Sequence, residues 1–359
     1  MIYSVIMAGG RGERFWPLSR SGRPKQLLQI TSQKTMLEET IARMEGFIPH
    51  ERVRIITGQN ITAQIQELLP DIHADHIYQE PFGRNTCLAI AVSALILHHE
   101  DPSAVMVVLS SDHMIEPKDK LIEHLRVGAQ ICENHDWLIT IGITPKRPET
   151  GYGYIRLGEI IESINGISVY KVAEFNEKPS RVRAQQYYYD REHLWNSGMF
   201  IWSAKSILKA IEKHKPNMFT ELQKYEKTLG TDREPEARIA LFQNVDDVSI
   251  DVAILEQANN VLTLKADIIW DDVGSWLALD RIKKRDPDHN VLIGNTVNLG
   301  TFESIVYNDS DGLIATLGVS DLIIVKTNGI VMVAHKTQIG EIKKLLGKFG
   351  GNDKLEQFL

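Results

Sequence analysis

The chain has 359 residues, 43% of them hydrophobic and 24% charged, which suits an ordinary globular protein with one large domain and a smaller appendage. Its formal net charge at pH 7 is −7, which argues against a general nucleic-acid binder, because such proteins need a positive field to displace counterions from phosphates. Any anionic ligand must therefore be held by a local cluster of cations.

Short β-branched runs alternate with helix-period segments in the first part of the chain, a pattern typical of a parallel sheet flanked by helices. We predict strands at residues 4–8, 53–57, 76–79, 104–109 and 138–143. Thr35 and Glu38 match a capping box, and Leu37, Ile41 and Met44 then fall on one helical face. Further helices are predicted at 61–69, 86–99 and 118–133. Ligands bind such sheets where the strand ends deliver glycine-rich or acidic residues.

The middle of the chain mixes strands at 154–160, 170–175 and 199–203 with helices at 180–189, 204–214 and 252–258. We expect these elements to extend the same sheet and to cover a ligand cleft. Short β runs follow at 291–293, 304–307, 313–317, 322–325 and 330–333, before a closing helix at about 337–349. The sequence thus predicts a large α/β domain at 1–285 and a small β-rich domain at 286–359. A short left-handed β-helix suits the second domain, although its turns keep no strict period.

A basic, glycine-rich loop directly follows the first predicted strand. The run GGRGERFWPL begins at Gly9, and from Arg11 to Lys25 five basic residues accompany one acid, Glu13. Glycines let backbone N–H groups approach an anion closely, and arginines supply forked donors that stay charged. We therefore predict that the loop holds a polyphosphate. A glycine-rich turn without a ligand is the alternative, whereas a dinucleotide fingerprint is disfavoured by Phe15 and a Walker loop by the lack of Gly-Lys-Ser/Thr.

The run MAGGRGERFWPLSR that begins at Met7, with the Pro-Lys-Gln that ends at Gln26, resembles the pyrophosphorylase signature of sugar nucleotidylyltransferases. The variant FWPLSR is similar to that of the mannose-1-phosphate guanylyltransferase branch. The resemblance implies a Rossmann-like, mostly parallel sheet flanked by helices, with 1–285 as the catalytic domain. It also implies that GTP and mannose 1-phosphate react to give GDP-mannose and pyrophosphate. It covers essentially the whole chain without an isomerase domain, so we expect the monofunctional form.

By that resemblance the glycine-rich loop binds the nucleotide. Arg14 and Lys25 would hold the β- and γ-phosphates and offset the charge that grows on the departing pyrophosphate. The other nucleotide-binding candidates in this part of the chain are Ala8, Gly9, Gly10, Arg11 and Gly12. A second segment, QEPFGRNT, resembles the family's loop that recognises the base, although alone it would indicate a turn and a helix N-cap. Its candidates for guanine recognition are Glu80, Gly83, Arg84 and Asn85.

Two acidic segments suggest a metal site. Asp112 follows the predicted strand 104–109, and Asp271 and Asp272 lie in the run WDDVGSW. Two carboxylates from distant parts of a chain suit Mg²⁺, which takes few protein oxygens together with waters and substrate phosphates. Each acid alone could instead be a helix cap or a turn residue. The resemblance implies that Asp112 and Asp272 are the family's Mg²⁺-binding pair, with Asp271 the less favoured neighbour.

Three further segments match the family in order: TGYGYI, FNEKP and WNSGMF. Carboxylates and amides suit sugar hydroxyls, and a lysine suits a sugar phosphate. We therefore assign Glu177 and Asn196 to the mannose hydroxyls, Gly153 to a backbone contact, and Lys178 to the phosphate of mannose 1-phosphate. Without the resemblance, Glu177 and Lys178 would be an exposed turn pair.

The expected mechanism is in-line attack of the sugar-phosphate oxygen on the α-phosphorus of GTP, with Mg²⁺ as cofactor and no general base. The alternatives are a sister enzyme for another base or sugar, and a silent homologue that regulates a partner. The alternative of a dehydrogenase is less favoured, because no acidic residue stands at the end of the predicted strand 53–57.

Features outside the motifs bear on location and partners. No apolar stretch approaches the roughly 20 residues that span a bilayer, and the opening apolar run is too short for a signal peptide. Cys87 and Cys132 have neither a metal-ligand spacing nor a disulfide framework, and we expect both to be buried or inert. The sequence therefore predicts a cytoplasmic protein without membrane or nucleic-acid partners. The amphipathic tail and the β-rich appendage make a homodimer plausible.

Overall fold

The computed structural model describes residues 1–133 and 135–359, and these form two units. Unit 1 comprises Met1–Gly9, Thr40–Ser111 and Ile115–Trp270, and unit 2 comprises Gly10–Glu39, Asp112–Met114 and Asp271–Leu359. The strands in chain order are β1 (Ile2–Ala8), β2 (Val53–Gly58), β3 (Ile77–Glu80), β4 (Val105–Ser110), β5 (Met114–Glu116), β6 (Leu138–Ile143), β7 (Tyr154–Ile164), β8 (Ile167–Asn176), β9 (His193–Ser203), β10 (Val261–Ala266), β11 (Ile269–Asp271), β12 (Val291–Ile293), β13 (Thr296–Leu299), β14 (Ile305–Asn308), β15 (Ile314–Leu317), β16 (Leu322–Thr327) and β17 (Ile330–His335). The α-helices are α1 (Met36–Met44), α2 (Thr62–Leu68), α3 (Asn85–Glu100), α4 (Lys118–Cys132), α5 (Arg181–Asp190), α6 (Ala204–His214), α7 (Pro216–Glu226), α8 (Glu234–Asn244), α9 (Leu279–Ile282), α10 (Ile342–Leu346) and α11 (Asp353–Glu356).

A nine-stranded sheet in the order β3-β2-β1-β4-β9-β6-β10-β8-β7 forms the core of unit 1. β1 pairs in parallel with β2 and β4, β2 with β3, and β6 with β10. Only β8 and β9 run against the other strands of this sheet, because each pairs antiparallel with its neighbours. The prediction of a Rossmann-like, mostly parallel sheet is therefore confirmed.

Both faces of this sheet are covered. In β4, Met106 and Val108 pack into one apolar cluster with α3, α6 and α7, whereas Val105 and Val107 pack into another with α4. A strand buried on both faces is apolar at every position, which explains the continuous run VMVVL.

The strand order reverses next to β1, because β2 lies on one side of it and β4 on the other. In open α/β sheets, ligands bind beyond the carboxyl ends of the strands at such a point. β1 ends at Ala8 and β4 at Ser110, so the glycine-rich loop and Asp112 follow these two strand ends.

Unit 2 contains a parallel β-helix. Thr296 pairs with Ile314, the bridge at Phe302 joins Ser320, and Ile305 pairs with Ile323, so the partners in each pair are 18 residues apart. The coils of this β-helix share one apolar core with Phe15, Trp16, Val273 and Trp276. Phe15 and Trp16 belong to the glycine-rich loop, which therefore packs against the β-helix. The β-rich fold of the C-terminal residues is thereby confirmed.

Several elements differ from the sequence predictions. β9 begins at His193 rather than 199, because Asn196 and Gly198, which are typical of turns, lie inside a buried strand. The predicted helix at 252–258 is a π-helical turn at Asp251–Leu255, and the closing helix divides into a 3₁₀ segment at Lys336–Glu341 followed by α10. The sequence analysis did not predict α7, α8, α9, α11, β5, β10, β11 and β13.

The capping box at Thr35 is confirmed, since Thr35 N donates to Glu38 Oε2 at 2.7 Å and Glu38 N donates to Thr35 Oγ1 at 3.2 Å. Cys87 and Cys132 are buried free thiols, as expected, and burial raises the pKa of Cys87 to about 12. Among the described residues, no helix is both long enough and apolar enough to cross a membrane.

Candidate active site

The glycine-rich loop, residues 9–25, which we call the phosphate loop after its predicted ligand, is held in place by its own aromatic residues. Gly12 has φ 67°, and a Cβ there would lie 2.4 Å from Lys25 Cβ, so only glycine fits. Phe15 and Trp16 are buried: the rings of Phe15 and Trp276 are 5.3 Å apart, and Trp276 Nε1 donates to the carbonyl of Trp16 at 3.0 Å. This apolar anchoring fixes the backbone that carries the exposed arginines of the loop.

The loop lines a cavity of about 480 Å³ within unit 2, which we call the loop cavity. Its lining residues are Arg11, Gly12, Glu13, Arg14, Phe15, Lys25, Asp112, His113, Asp272, Gly274 and Lys343. The structure thus brings together Arg14 and Lys25 with both proposed metal ligands, Asp112 and Asp272. Among residues 1–133 and 135–359, the guanidinium groups of Arg11 and Arg14 have no hydrogen-bond or ion-pair partner and are exposed.

Lys25 is the buried cation of the loop cavity, with only 5% of its surface exposed. Its Nζ donates to Asp112 Oδ2 at 2.7 Å and to the backbone carbonyl of Asp272 at 2.8 Å. It also lies 5.9 Å from the centroid of the Phe15 ring. Lys25 therefore connects both acidic segments to the phosphate loop through a single ammonium group.

Asp112 remains ionised in this setting. Burial by itself would raise the pKa of its carboxyl, but the neighbouring Lys25 and His113 outweigh that effect and hold the pKa below its ordinary value. His113 Nε2 lies 3.9 Å from Asp112 Oδ1. A carboxylate that stays charged near neutral pH is ready to bind a cation.

The two acids of the WDDVG run have different environments. Asp271 is buried, and Arg281 Nε and Nη2 donate to its two carboxylate oxygens at 2.5 and 2.8 Å. Val273 N donates to the same carboxylate at 2.8 Å, so Asp271 is fully engaged. Asp272, in contrast, lines the loop cavity. This difference favours Asp272 over Asp271 as a metal ligand.

The donor set of the loop cavity fits a magnesium ion. Asp112 and Asp272 line one cavity with carboxylates that could serve as hard oxygen ligands, and the same cavity offers cations that could hold phosphates. Within the part of the chain that the structure describes, no group of three or more histidine, cysteine, aspartate or glutamate side chains could hold a metal. A site with two carboxylates suits Mg²⁺, which completes its coordination with water and substrate phosphates.

The proposed base-recognition residues lie in unit 1. Ala8 is buried at the end of β1, where its carbonyl accepts a bond from Thr57 Oγ1 at 2.9 Å. The Glu80 carboxylate lies beside the exposed backbone of Gly9, at which an added Cβ would be 2.9 Å from Oε2. Burial raises the pKa of Glu80 to about 7. The solvent-exposed backbone of Gly9 and the carboxylate of Glu80 therefore lie side by side. Gly10, which follows Gly9 in the sequence, is also exposed.

The remaining base candidates differ in their surroundings. Arg84 Nε donates to the carbonyl of Phe242 at 2.7 Å, and its guanidinium lies 5.3 Å from the Phe82 ring. These contacts tie the loop before α3 to the end of α8. Gly83 and Asn85 are exposed, and Asn85 has φ 61°, so the backbone turns sharply as it enters α3.

The proposed sugar residues form a compact polar cluster in unit 1. Asn196 N donates to the carbonyl of Gly153 at 2.8 Å, and a Cβ at Gly153 would lie 2.5 Å from Glu177 Oε2 and 3.3 Å from Asn196 Cβ. The absence of a side chain at Gly153 therefore leaves the space in which Glu177 and Asn196 approach each other. Lys178 Nζ donates to Glu177 Oε1 at 2.6 Å and is otherwise exposed.

Sequence reasoning missed one member of this cluster, Asp251. Asn196 Nδ2 donates to Asp251 Oδ1 at 2.8 Å, and Asn196 Oδ1 accepts from Thr140 Oγ1 at 2.8 Å, which fixes the amide orientation. Burial and the nearby Glu177 carboxylate raise the pKa of Asp251 to about 7. The only signal in the sequence was a single acid at the start of an apolar run, which also describes an ordinary helix N-terminus. We call Gly153, Glu177, Asn196 and Asp251 the Asn196 cluster.

Comparisons with known proteins agree with this arrangement. Residues 3–289 match the nucleotidyl transferase family, and residues 294–349 match the mannose-phosphate isomerase/GMP-like beta-helix domain. Mannose-1-phosphate guanylyltransferase of Escherichia coli K12 is 35% identical over 365 residues, covering 99% of this chain and 75% of the relative. The enzyme of that name from Klebsiella pneumoniae is 36% identical over 362 residues, again covering 99% of this chain and 75% of the relative.

A solved structure extends the similarity to the whole fold. The crystal structure of a Thermus thermophilus protein named mannose-1-phosphate geranyltransferase has a TM-score of 0.86 and 32% identity. The match covers 97% of this chain and 98% of that one. The family resemblance of the sequence is thus confirmed: the chain belongs to the nucleotidyl transferase family and, within it, to the mannose-1-phosphate guanylyltransferases.

Proposed function

We propose that this protein transfers GMP from GTP to mannose 1-phosphate, giving GDP-mannose and pyrophosphate. The observation that supports this most directly is the loop cavity, in which Arg14, Lys25, Asp112 and Asp272 line one space. Phosphoryl-type transfer needs positioning and positive charge more than covalent chemistry. A cavity with cations and two carboxylates supplies both requirements for a triphosphate.

Within the loop cavity, Arg14 and Lys25 bind the β- and γ-phosphates, and Arg11 with the backbone of Gly12 completes the cradle. The exposed backbone of Gly10, which precedes Arg11, offers a further contact to the nucleotide. Asp112 and Asp272 are the residues that would hold Mg²⁺, which when bound draws electron density from the phosphate oxygens and offsets their charge. Lys25 then neutralises charge on the departing pyrophosphate. The sugar phosphate is already ionised, so no side chain needs to remove a proton.

On the base side, Glu80 in its ionised form accepts hydrogen bonds from the guanine N1–H and N2–H groups. A carboxylate is the only side chain that accepts at both positions with two parallel oxygens. Gly9 lies beside Glu80 and keeps its backbone open to the base, and the loop at Gly83 to Asn85 borders this region. This recognition accounts for GTP over nucleotides that present an acceptor there.

On the sugar side, the carboxylates of Glu177 and Asp251 accept hydrogen bonds from mannose hydroxyls. Asn196 orients Asp251 and contributes its remaining N–H, and Gly153, which has no side chain between Glu177 and Asn196, supplies a backbone contact. Lys178, which is exposed and among the described residues pairs with Glu177 alone, binds the phosphate of mannose 1-phosphate.

A turnover assay tests this proposal. Pyrophosphate release is measured with GTP, UTP, dTTP and ATP, each combined with the 1-phosphates of mannose, glucose and glucosamine, in Mg²⁺-containing buffer. We expect GTP with mannose 1-phosphate to give the highest kcat/KM. Preference for another pair would assign a sister nucleotidylyltransferase, and no turnover with any pair would point to a silent homologue.

A further inference from the structure

Helix α10 of the C-terminal segment brings a lysine to the loop cavity. Lys343 is one of the residues that line it, together with Arg14, Lys25 and Asp112. No sequence motif indicates this residue, because it lies in a short run of lysines after the β-rich coils. Its Nζ lies 3.2 Å from Glu13 Oε2 in the phosphate loop.

The position of Lys343 is set by packing on both sides of it. Ile342 is buried and Leu346 packs against the same apolar cluster, which also contains Phe15 and Trp16 of the phosphate loop. The rings of Trp16 and Phe349 pack edge to face, with their centroids 5.4 Å apart. Trp16 Nε1 also donates to the carbonyl of Phe358 at 2.8 Å. Helix α10 is therefore fixed against the loop that carries Arg14.

The ion pair between Lys343 and Glu13 is easily exchanged. The side chain of Lys343 is 64% exposed and that of Glu13 is 37% exposed, and pairs between exposed side chains contribute little to stability. Lys25, in contrast, is already bound to Asp112. Within the described part of the chain, Glu13 is the one partner of the Lys343 ammonium, so a triphosphate that enters the loop cavity meets a cation with a weak, solvated partner.

We infer that Lys343 is a further nucleotide-binding residue whose ammonium leaves Glu13 and binds the triphosphate of GTP. This inference rests on the proposed function of the loop cavity. It assigns the C-terminal segment a direct part in substrate binding, since α10 would supply one of the cations that surround the phosphates.

The test compares adjacent lysines on one helix. Lys344 pairs with Glu341 and is 81% exposed, so Lys344→Ala removes the same charge from the same helix and is the matched control. Mg²⁺-GTP is titrated calorimetrically into the unaltered protein, Lys343→Ala, Lys343→Arg and Lys344→Ala, without a sugar phosphate. We expect Lys343→Ala to raise the Kd roughly tenfold, equivalent to about 1.4 kcal/mol, and Lys343→Arg to restore most of the affinity.

The kinetic pattern gives a second readout. In the turnover assay, Lys343→Ala should raise the KM for GTP by a similar factor and leave the KM for mannose 1-phosphate within about twofold. The inference would be overturned if Lys343→Ala bound Mg²⁺-GTP with the Kd of the unaltered protein. It would also be overturned if Lys344→Ala raised the Kd as much as Lys343→Ala does. If the unaltered protein binds Mg²⁺-GTP without releasing pyrophosphate from any substrate pair, the proposed reaction fails, and the Kd comparison still decides the role of Lys343.

Discussion

Replacing Lys25 by methionine removes one buried ammonium while keeping a side chain of similar length. The ammonium makes two short hydrogen bonds, to the Asp112 carboxylate at 2.7 Å and to the Asp272 carbonyl at 2.8 Å. Breaking a fully buried ion pair costs about 3–5 kcal/mol. The Asp112 side chain is 34% exposed, so water screens the carboxylate that is left behind. We therefore expect a loss of about 2–3 kcal/mol in the free energy of unfolding.

Urea unfolding at pH 7.5 measures this loss, and a double-mutant cycle with Asp112→Asn assigns it to the pair. When Asp112 carries no charge, removing Lys25 leaves no carboxylate without a partner. The loss of unfolding free energy in the double variant should therefore be smaller than the sum of the two single losses, by about 1 kcal/mol or more. Independent, additive effects would show that the ion pair seen in the structure does not stabilise the fold.

The same variant separates stability from catalysis. If Lys25 offsets charge on the departing pyrophosphate, Lys25→Met should lower kcat by about 10²–10³-fold under conditions where it is fully folded. Near-normal turnover in the pyrophosphate-release assay would refute that role while leaving the structural pairing intact. Thermal unfolding, recorded in the assay buffer, confirms that the comparison is made on folded protein.

Further outcomes are expected at three side chains, Asp251, Glu80 and Arg281. Asp251→Asn should raise the KM for mannose 1-phosphate by roughly tenfold while the KM for GTP stays within about twofold; the reverse pattern would remove Asp251 from the sugar side. Because Glu80 has a pKa of about 7 and must be ionised to accept from guanine, the KM for GTP should fall about tenfold from pH 6 to 8, and Glu80→Gln should lose this dependence. The raised pKa also means that Glu80 lowers the stability of the ligand-free fold as pH rises towards 7, since the folded state holds the proton more tightly. Arg281→Leu strands the buried Asp271 carboxylate and should lower the free energy of unfolding by about 3 kcal/mol in urea denaturation; a change below about 1 kcal/mol would contradict this.

The sequence predicted best where the local pattern had one interpretation. The strand Leu138–Ile143 and the helix Ala204–His214 have the predicted bounds, because the mostly apolar, β-branched run LITIGI and an amphipathic period leave little choice. β9 was predicted too short, since Asn196, Ser197 and Gly198 are typical of a turn, yet tertiary contacts hold them in a central strand. Prediction from secondary-structure propensity therefore failed where tertiary side-chain contacts hold polar residues inside the sheet.

Site residues divide in the same way. Arg14, Lys25, Asp112 and Asp272 follow strand ends or lie in short runs with unusual composition, so they could be singled out from sequence. Asp251 could not be, because its hydrogen bond with Asn196 joins residues 55 positions apart, and nothing in the run SIDVAIL distinguishes it from a helix start. Contacts across such separations depend on the fold, and single-sequence patterns carry no information about them.

The pairing of Lys25 with Asp112 also explains how a protein with a net charge of −7 can keep a cationic site ready for a polyphosphate. In the ligand-free state the buried Lys25 ammonium and the partly exposed Asp112 carboxylate satisfy each other, so neither requires a counterion. In the proposed function the lysine exchanges the carboxylate for phosphate oxygens, and the carboxylate becomes available for a divalent cation. The two ligands would then bind more tightly together than separately, because either one alone leaves one member of the pair without a partner. Titrating GTP with and without Mg²⁺ into the unaltered protein and into Lys25→Met tests this coupling. We expect the coupling between nucleotide and metal to weaken when Lys25 is absent. Coupling of equal size in both proteins would show that the metal acts on the nucleotide alone.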